Sequence, residues 1–263
     1  VELYPGNADA YLCLGTAYYQ TGQIDLAIDN LKKAESYTTR EDYLTVIYND
    51  LGNIYRNKGD FDKALFYGMK GLNLARKLGN RKLEAFSLFT IATIFDNKGE
   101  FDRALEYYKE ALRLTTDERD KADICHIIAF TYKIKEDYPN SIKYFKNAIN
   151  IYERYGDYHQ SGIIMLNLGD TYRIIKDFKN AYYYLYEGIK RVQKVGDKYW
   201  EGTGLEYLGW YAEDIGDIKS AREYLNRAYE IFKSIGAEKD ASEVLEDLSE
   251  LDKIEKNKNK KNK

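Results

Sequence analysis

The sequence predicts an all-α solenoid built from helix-turn-helix units. The stretch DLGNIYRNKGDFDKAL, at Asp50–Leu65, returns in recognisable form along the chain. In each of six copies, a small residue in one predicted helix is followed twelve residues later by a small residue in the next helix. Only two prolines occur in 263 residues, which favours long helices. Together these observations predict a chain of paired helices without strands.

The six copies place their small residues where two helices should cross. Helices approach closely only where neither carries a bulky side chain, so we predict that each small residue faces its partner. An aromatic residue three positions after the first small residue should fill the wedge between the helices, although Ala212 takes its place in the last copy. The pairs are Gly15 with Ala27, Gly52 with Ala64, Ala92 with Ala104, Ala129 with Ser141, Gly169 with Ala181, and Gly209 with Ala221.

Twelve helices follow from this spacing, two in each unit. Pro139 is compatible with its helix because it falls in the first turn, where no intrahelical donor is needed. First helices are predicted at 7–21, 42–58, 81–98, 119–136, 158–176 and 198–215, and second helices at 24–37, 61–78, 101–115, 138–155, 178–195 and 218–235. The corresponding units are 7–38, 42–79, 81–116, 119–156, 158–196 and 198–236, within an array that covers residues 1–236.

The helix ends differ between long and short units. In units with a forty-residue period, the second helix runs to a glycine that is typical of a helix C-cap, at Gly79, Gly156, Gly196 and Gly236. The thirty-seven-residue units stop one turn earlier, at Thr38-Thr39 and Thr115-Thr116. We predict that a threonine there caps the helix that follows.

The two ends of the chain depart from the repeat. Residues 237–254 carry one apolar stripe on an acidic helix, which we interpret as a capping helix that hides the last apolar face. Residues 255–263 form a basic low-complexity tail, which we expect to be frayed or disordered. Val1–Tyr4 is interpreted as the end of a further unit upstream.

These features resemble the tetratricopeptide repeat family, in which L-G-x-x-Y lies in a first helix and a small residue in a second. The longer period, thirty-seven to forty residues, is similar to that of G-protein-signalling modulators, kinesin light chains and many bacterial regulators. The resemblance implies a right-handed α-solenoid of six units plus the C-terminal capping helix. It also implies that the first helices line a concave, ligand-binding groove.

Composition excludes several classes of function. The formal net charge of −3 gives no general attraction to nucleic acid, and no run of eighteen apolar residues could span a membrane. We therefore expect a soluble, cytoplasmic chain with no nucleic-acid partner and no membrane insertion. Cys13 and Cys125 are expected to be buried small hydrophobes. His126 and His159 are the only imidazoles and match no metal-ligand spacing, so neither a metal, a cofactor nor catalysis is expected.

The resemblance assigns one face of the first helices to the groove. Asn49 and Asn53 could hold a peptide backbone, because an amide offers both a donor and an acceptor. Basic residues in the middle precede an acidic exit, and aromatic rings are interleaved. The full set of candidate peptide-binding residues is Asn49, Asn53, Arg56, Phe89, Asp96, His126, Phe130, Lys133, Asp170, Arg173, Glu206 and Trp210. A bound segment is expected to lie between Asn49 and Trp210.

The sequence therefore favours a protein–protein interaction scaffold that binds a peptide or protein segment in the groove. The alternative is a ligand-sensing regulatory domain of a bacterial peptide-responsive regulator or phosphatase, to which similar arrays belong. An enzyme would require a fused catalytic domain outside this sequence. Self-association through the open ends of the repeat array is a further possibility. The identity of the partner does not follow from the residues.

Overall fold

The structure, a computed structural model, describes residues 6–261 and the side chains of residues 6–255. Within that range the chain forms thirteen α-helices and no strand, which confirms the predicted fold class. The helices are α1 Ala8–Gln20, α2 Ile24–Tyr37, α3 Glu41–Asn57, α4 Phe61–Lys77, α5 Arg81–Asn97, α6 Phe101–Leu114, α7 Glu118–Ile134, α8 Tyr138–Arg154, α9 Tyr158–Ile174, α10 Phe178–Lys194, α11 Lys198–Asp214, α12 Ile218–Ser234 and α13 Glu238–Lys261. Each of the first twelve begins and ends within two residues of its predicted bounds.

The chain divides into two compact parts, one that ends at Ile124 and one that begins at Cys125. In the first part, α3 packs against α4 and α5, as expected for first and second helices of adjacent repeats. In the second part, α9 packs against α8, α10 and α11, and α12 packs against α13. Each part therefore has the contact pattern of stacked helix pairs.

The last helix extends beyond the predicted cap. α13 continues to Lys261, so the backbone after residue 254 is helical and not frayed as predicted. Val244 and Leu251 of α13 are fully buried, in a cluster with Leu225 and Phe232 of α12, as the capping interpretation requires. The described part does not include Val1–Pro5, the side chains from residue 256 onward or the last two residues. The predictions of an upstream unit at Val1–Tyr4 and of the side chains of the basic tail therefore lie outside it.

The helix crossings are as close as predicted, and Gly52 does lie against the predicted Ala64, with a Cβ 3.4 Å from its carbonyl oxygen, but at the other three glycines the facing residue is different. Ala181 is fully buried, yet a Cβ placed on Gly169 would lie 2.7 Å from Leu185 Cγ and 2.9 Å from the Leu185 backbone nitrogen. Gly209 meets Leu225 in the same way, at 2.7 Å. Gly169 and Gly209 therefore face the residue sixteen positions later, one helical turn beyond the predicted alanine, because the side chain of that residue covers the crossing point.

The predicted aromatic wedge is present as a stack of two rings. Tyr55 stacks on Tyr67 with ring centroids 5.5 Å apart, and Tyr172 stacks on Tyr184 at 5.5 Å. The pairs Phe95–Tyr107 and Tyr132–Tyr144 repeat this arrangement at 5.5 and 5.8 Å. Each pair joins a first helix to its own second helix, so the ring pair contributes packing beyond simple area burial.

The helix ends confirm the glycine prediction and contradict the threonine prediction. Gly79, Gly156, Gly196 and Gly236 have φ between 62° and 76°, the left-handed conformation of a C-cap glycine. By contrast, α3 begins after Arg40 without a side-chain cap, and α7 is capped by Asp117, whose Oδ1 accepts from the backbone N–H groups of Arg119 and Asp120. Thr115 instead donates its hydroxyl to the Ala111 carbonyl within its own helix.

One of the two cysteine predictions is wrong. Cys125 is buried, whereas Cys13 is exposed. The position before a Leu-Gly pair contacts the first helix of the preceding repeat, as Asp50 does when it accepts a hydrogen bond from Thr16 at 3.1 Å. No described helix precedes α1, so nothing in the described part covers Cys13.

Candidate functional site

The first part of the chain places Asn49 in the interior, which corrects its prediction as a groove residue. Asn49 is fully buried and donates from Nδ2 to Ser87 Oγ at 2.9 Å. A Cβ at Gly71 would lie 2.7 Å from Asn49 Oδ1, so the amide is enclosed by the neighbouring second helix. Asn49 therefore joins α3 to α5 and is unavailable to a bound segment.

The other four candidates of the first part lie nearer the surface. Asn53 is half-buried, and its amide makes no hydrogen bond to another residue that the structure describes. Arg56 is half-buried and donates twice to Asn57 Oδ1, at 3.2 and 3.0 Å. Phe89 packs against Tyr108 with centroids 5.6 Å apart, and Asp96 is half-buried. Three of these four residues therefore meet around Tyr108, since Phe89 contacts its ring and both Asp96 and Arg56 interact electrostatically with its hydroxyl.

The second part brings its charged candidates together. Lys133 Nζ lies 2.6 Å from Asp170 Oδ2, and Arg173 Nε lies 2.8 Å from the other oxygen of the same carboxylate. Arg173 Nη1 also lies 2.7 Å from Asp214 Oδ2. This ionic ladder (Lys133, Asp170, Arg173, Asp214) runs across α7, α9 and α11. Asp170 is only 4% exposed, and its two cations compensate the cost of burying its charge.

Aromatic side chains border the ionic ladder. Phe130 is 45% exposed and lies under Lys133, whose Nζ is 5.8 Å from the ring centroid. At the other end, the Arg173 guanidinium lies 5.4 Å from the Trp210 centroid. His126 packs against Phe145 at 5.9 Å, and its Nε2 is 3.3 Å from Asn167 Nδ2. The predicted rings and cations of this part therefore do form one surface.

Glu206 is buried where an acidic groove exit was predicted. Only 9% of the residue is exposed, and burial raises the pKa of Glu206 to about 8, with further contributions from Asp247, Glu243 and Asp240 of α13. Trp210 Nε1 donates to Asp247 Oδ2 at 2.7 Å. The capping helix thus contributes acidic residues to this surface, which the sequence reasoning did not include. Their spacing of three and four residues on one helical face was the available signal.

Two features are absent from the described residues. Among the described residues, no group of three His, Cys, Asp or Glu side chains is placed to hold a metal ion. No described helix combines the length and apolar character needed to cross a bilayer. The cations of the ionic ladder are held by carboxylates, which fixes their side chains beside the rings of Phe130 and Trp210.

The sequence comparisons identify the family. The tetratricopeptide repeat profiles match residues 8–38, 43–117, 122–194 and 163–234. The chain belongs to the tetratricopeptide repeat family, as the sequence features predicted. No curated protein sequence gives a significant match.

Solved structures share the fold at low sequence identity. The chain is similar to the apo form of RapI, with a TM-score of 0.71 and 17% identity over 95% of this chain and 99% of that one. It is similar to a Rap protein complexed with Competence and Sporulation Factor, with a TM-score of 0.64 and 18% identity over 93% and 74%. It is also similar to a signal transduction ATPase with a tetratricopeptide repeat sensor from Pyrococcus horikoshii, with a TM-score of 0.80 and 19% identity over 87% and 36%.

Proposed function

We propose that this chain is a cytoplasmic interaction scaffold that binds a polypeptide segment along the first helices of its second part. The segment would lie over Phe130, the ionic ladder and Trp210. The binding role rests on the family, whose members present such faces to protein partners. The choice of face rests on the arrangement of the side chains themselves.

The observation that carries this proposal is an exposed ring beside a fixed charge network. Phe130 is partly exposed and Trp210 is half-buried. The buried carboxylate of Asp170 pairs with both Lys133 and Arg173 and so fixes the positions of these two side chains. Aromatic and arginine side chains are the residues that most often dominate binding energy. Side chains that are already fixed lose less conformational entropy on binding, which favours affinity.

Phe130→Ala tests the proposal without disturbing the ionic ladder. Arg173→Ala is a poor test, because it would remove the cation that Asp170 and Asp214 share and leave Asp170 with Lys133 alone. With the full chain immobilised and randomised decapeptide pools as the probe, Phe130→Ala should reduce retention by about tenfold to thirtyfold, equivalent to about 1.4–2 kcal/mol. Helix content, measured by circular dichroism, should be unchanged because the ring is exposed.

Phe66→Ala is the matched control. Phe66 is 58% exposed on the second helix α4 and also lies under a lysine, with Lys70 Nζ 5.4 Å from its centroid. We expect Phe66→Ala to bind the pools as the parent does. Loss of retention with Phe66→Ala together with normal retention by Phe130→Ala would move the site to the second helices.

A second candidate function is a ligand-sensing regulatory domain. It is favoured by the similarity to RapI over nearly the full length of both chains, and by the Rap structure that contains Competence and Sporulation Factor. A sensor must change conformation when it binds, whereas a scaffold need not. Small-angle scattering with and without a retained peptide separates the two: an unchanged radius of gyration supports the scaffold, and a clear change supports the sensor.

A further inference from the structure

Two hydrogen bonds from aromatic side chains of α11 to aspartates of α13 join these two helices. Near one end, Tyr199 Oη donates to Asp240 Oδ1 at 3.1 Å. Near the other end, Trp210 Nε1 donates to Asp247 Oδ2 at 2.7 Å. These two contacts are eleven residues apart on α11 and seven apart on α13, so they bracket a short segment of both helices.

Two glutamates lie within the bracketed segment, and the charge of Glu243 disfavours the ionisation of Glu206. Glu206 of α11 comes four residues before Trp210, on the same helical face, and Glu243 of α13 lies between the two aspartates. Glu206 is more than nine-tenths buried and makes no hydrogen bond or ion pair with any residue the structure describes. Its strongest interactions with charged groups are all with carboxylates, on α13 and at Asp170 of α9.

Among the described residues, no buried cation pairs with this acidic face (Glu206, Asp240, Glu243, Asp247). Lys133 and Arg173 are engaged by Asp170, and Arg173 also by Asp214. The Lys239 ammonium approaches Glu243 at 3.4 Å, but its side chain is 88% exposed. A metal ion is not indicated, since no described group of acidic residues has the required placement. A cation that paired with Glu206 would therefore have to come from outside the described residues.

We propose that the acidic face binds one basic side chain, a Lys ammonium or an Arg guanidinium, of a polypeptide segment. The identification of the ligand as a polypeptide rests on the proposed function, whereas the cation site stands on its own geometry. A cation here would form charge-assisted hydrogen bonds with Glu206 and its neighbours. The rings of Tyr199 and Trp210 at the two ends suit the flat guanidinium or the alkyl stem of a lysine.

The site can be tested with a single capped amino acid. The full chain is labelled with ¹³C at its glutamate carboxyl groups, and the Glu206 signal is assigned by its loss in Glu206→Gln. Its titration midpoint is measured with increasing Nα-acetyl-arginine N-methylamide, and separately with the neutral citrulline analogue. We expect the arginine compound to lower the midpoint saturably by about one pH unit or more, because a nearby cation favours the carboxylate. The citrulline analogue should leave it unchanged.

Two results with these compounds would contradict the cation site. If neither compound moves the Glu206 midpoint, or if both move it equally, the cation site is refuted whether or not the chain binds peptides. Glu223→Gln, which removes an exposed carboxylate from α12, is the charge-matched control and should preserve the response to the arginine compound.

Peptide pools then connect the site to the proposed function. The parent and Glu223→Gln should retain decapeptide pools with one fixed arginine at least about tenfold better than pools with citrulline at that position. Glu206→Gln should retain both pools equally. A persistent preference for arginine in Glu206→Gln would overturn the assignment. Retention of no pool, combined with a normal response of Glu206 to the arginine compound, would refute the proposed function and leave the cation site standing.

Discussion

Burial determines the charge of two carboxyl groups in this chain. Desolvation raises the pKa of Glu206 to about 8, and the surrounding carboxylates, Asp247 first, add to the effect. Burial also raises the pKa of Asp50 to about 6, although the hydrogen bond from Thr16 acts in the opposite direction. Glu206 is therefore largely protonated at neutral pH, whereas Asp50 is largely ionised.

These shifts predict different pH windows for two neutral substitutions. Between pH 4.5, the ordinary value for glutamate, and about 8, native Glu206 holds a proton that the unfolded chain releases. The parent therefore loses stability as pH rises through this window. Glu206→Gln lacks this loss, so its stability relative to the parent should increase between pH 5 and 8, by an amount on the order of a few kcal/mol. Urea unfolding at several pH values measures the difference.

Asp50→Asn provides an internal comparison. The stability of Asp50→Asn relative to the parent should increase from pH 3.8, the ordinary pKa of aspartate, to about pH 6. It should then remain constant to pH 8. If the difference in stability between Glu206→Gln and the parent does not change between pH 5 and 8, Glu206 is ionised throughout that range and burial does not control its charge.

In the second part the sequence reasoning placed rings and charges on one face, but it did not predict how deeply each residue is buried. Phe130 and Trp210 were predicted as groove residues and lie at the surface, whereas Asn49 was predicted beside Asn53 and is buried. Helical spacing fixes the angular position of a residue, but burial depends on how closely the next repeat packs. For Asn49 that packing depends on Gly71 and Ser87, outside its own helix.

At the scale of helices, the small residue at the crossing point of each first helix varies together with the residue sixteen positions later, in the second helix. Where the first helix has glycine, the residue sixteen positions later is leucine or glycine, as in Gly169 with Leu185 and Gly52 with Gly68. Where the first helix has alanine, that residue is aromatic. The two alanine cases are Ala92 with Tyr108 and Ala129 with Phe145. The branched Cγ of leucine occupies the space that a Cβ would need, as the 2.7 Å distance at Gly169 shows.

This covariation within one chain predicts a coupled pair of substitutions. Gly169→Ala alone should cost about 1 kcal/mol net, because overpacking against Leu185 exceeds the better helix propensity of alanine. Leu185→Phe added to Gly169→Ala should recover part of that loss, with a coupling energy of about 0.5 kcal/mol or more. Urea unfolding of both single variants and the double variant completes the cycle.

Gly52→Ala is the control at the equivalent position. Its Cβ would meet Thr90 Cγ2 at 3.3 Å and the Ala64 carbonyl oxygen at 3.4 Å, distances that a small shift can accommodate. We expect no loss of stability. If the effects of Gly169→Ala and Leu185→Phe on the free energy of unfolding are additive, the two side chains do not compete for the same space, and the covariation has another origin.

The helices themselves were predictable from sequence because their signals are local. The twelve-residue spacing and the C-cap glycines are set within each helix pair, so the helix bounds required no knowledge of contacts between repeats. The crossing partner was misplaced by one turn, at Ala181 instead of Leu185, because side chains lean along the helix toward its N-terminus. The threonine prediction failed at α7 because Asp117 lies directly before the helix and caps it, whereas α3 begins after Arg40 with no side-chain cap.

At the scale of the whole chain, a repeat protein is held together mainly by contacts between neighbours. The stability of such a chain is approximately the sum of its repeats and of the interfaces between adjacent repeats. Both tryptophans of this chain, Trp200 and Trp210, lie in α11. Tryptophan fluorescence therefore reports on the second part, while far-ultraviolet circular dichroism reports on all helices.

Two equally crowded glycines test whether unfolding is local. A Cβ at Gly15 would lie 2.7 Å from Leu31 Cγ, the same distance that separates a Cβ at Gly169 from Leu185 Cγ. Gly169→Ala should lower the urea midpoint measured by tryptophan fluorescence, because its repeat adjoins α11. Gly15→Ala should leave that midpoint unchanged and instead broaden the circular dichroism transition toward lower urea. Equal shifts of both signals in both variants would mean that the chain unfolds as one cooperative unit, and that contacts beyond adjacent repeats dominate its stability.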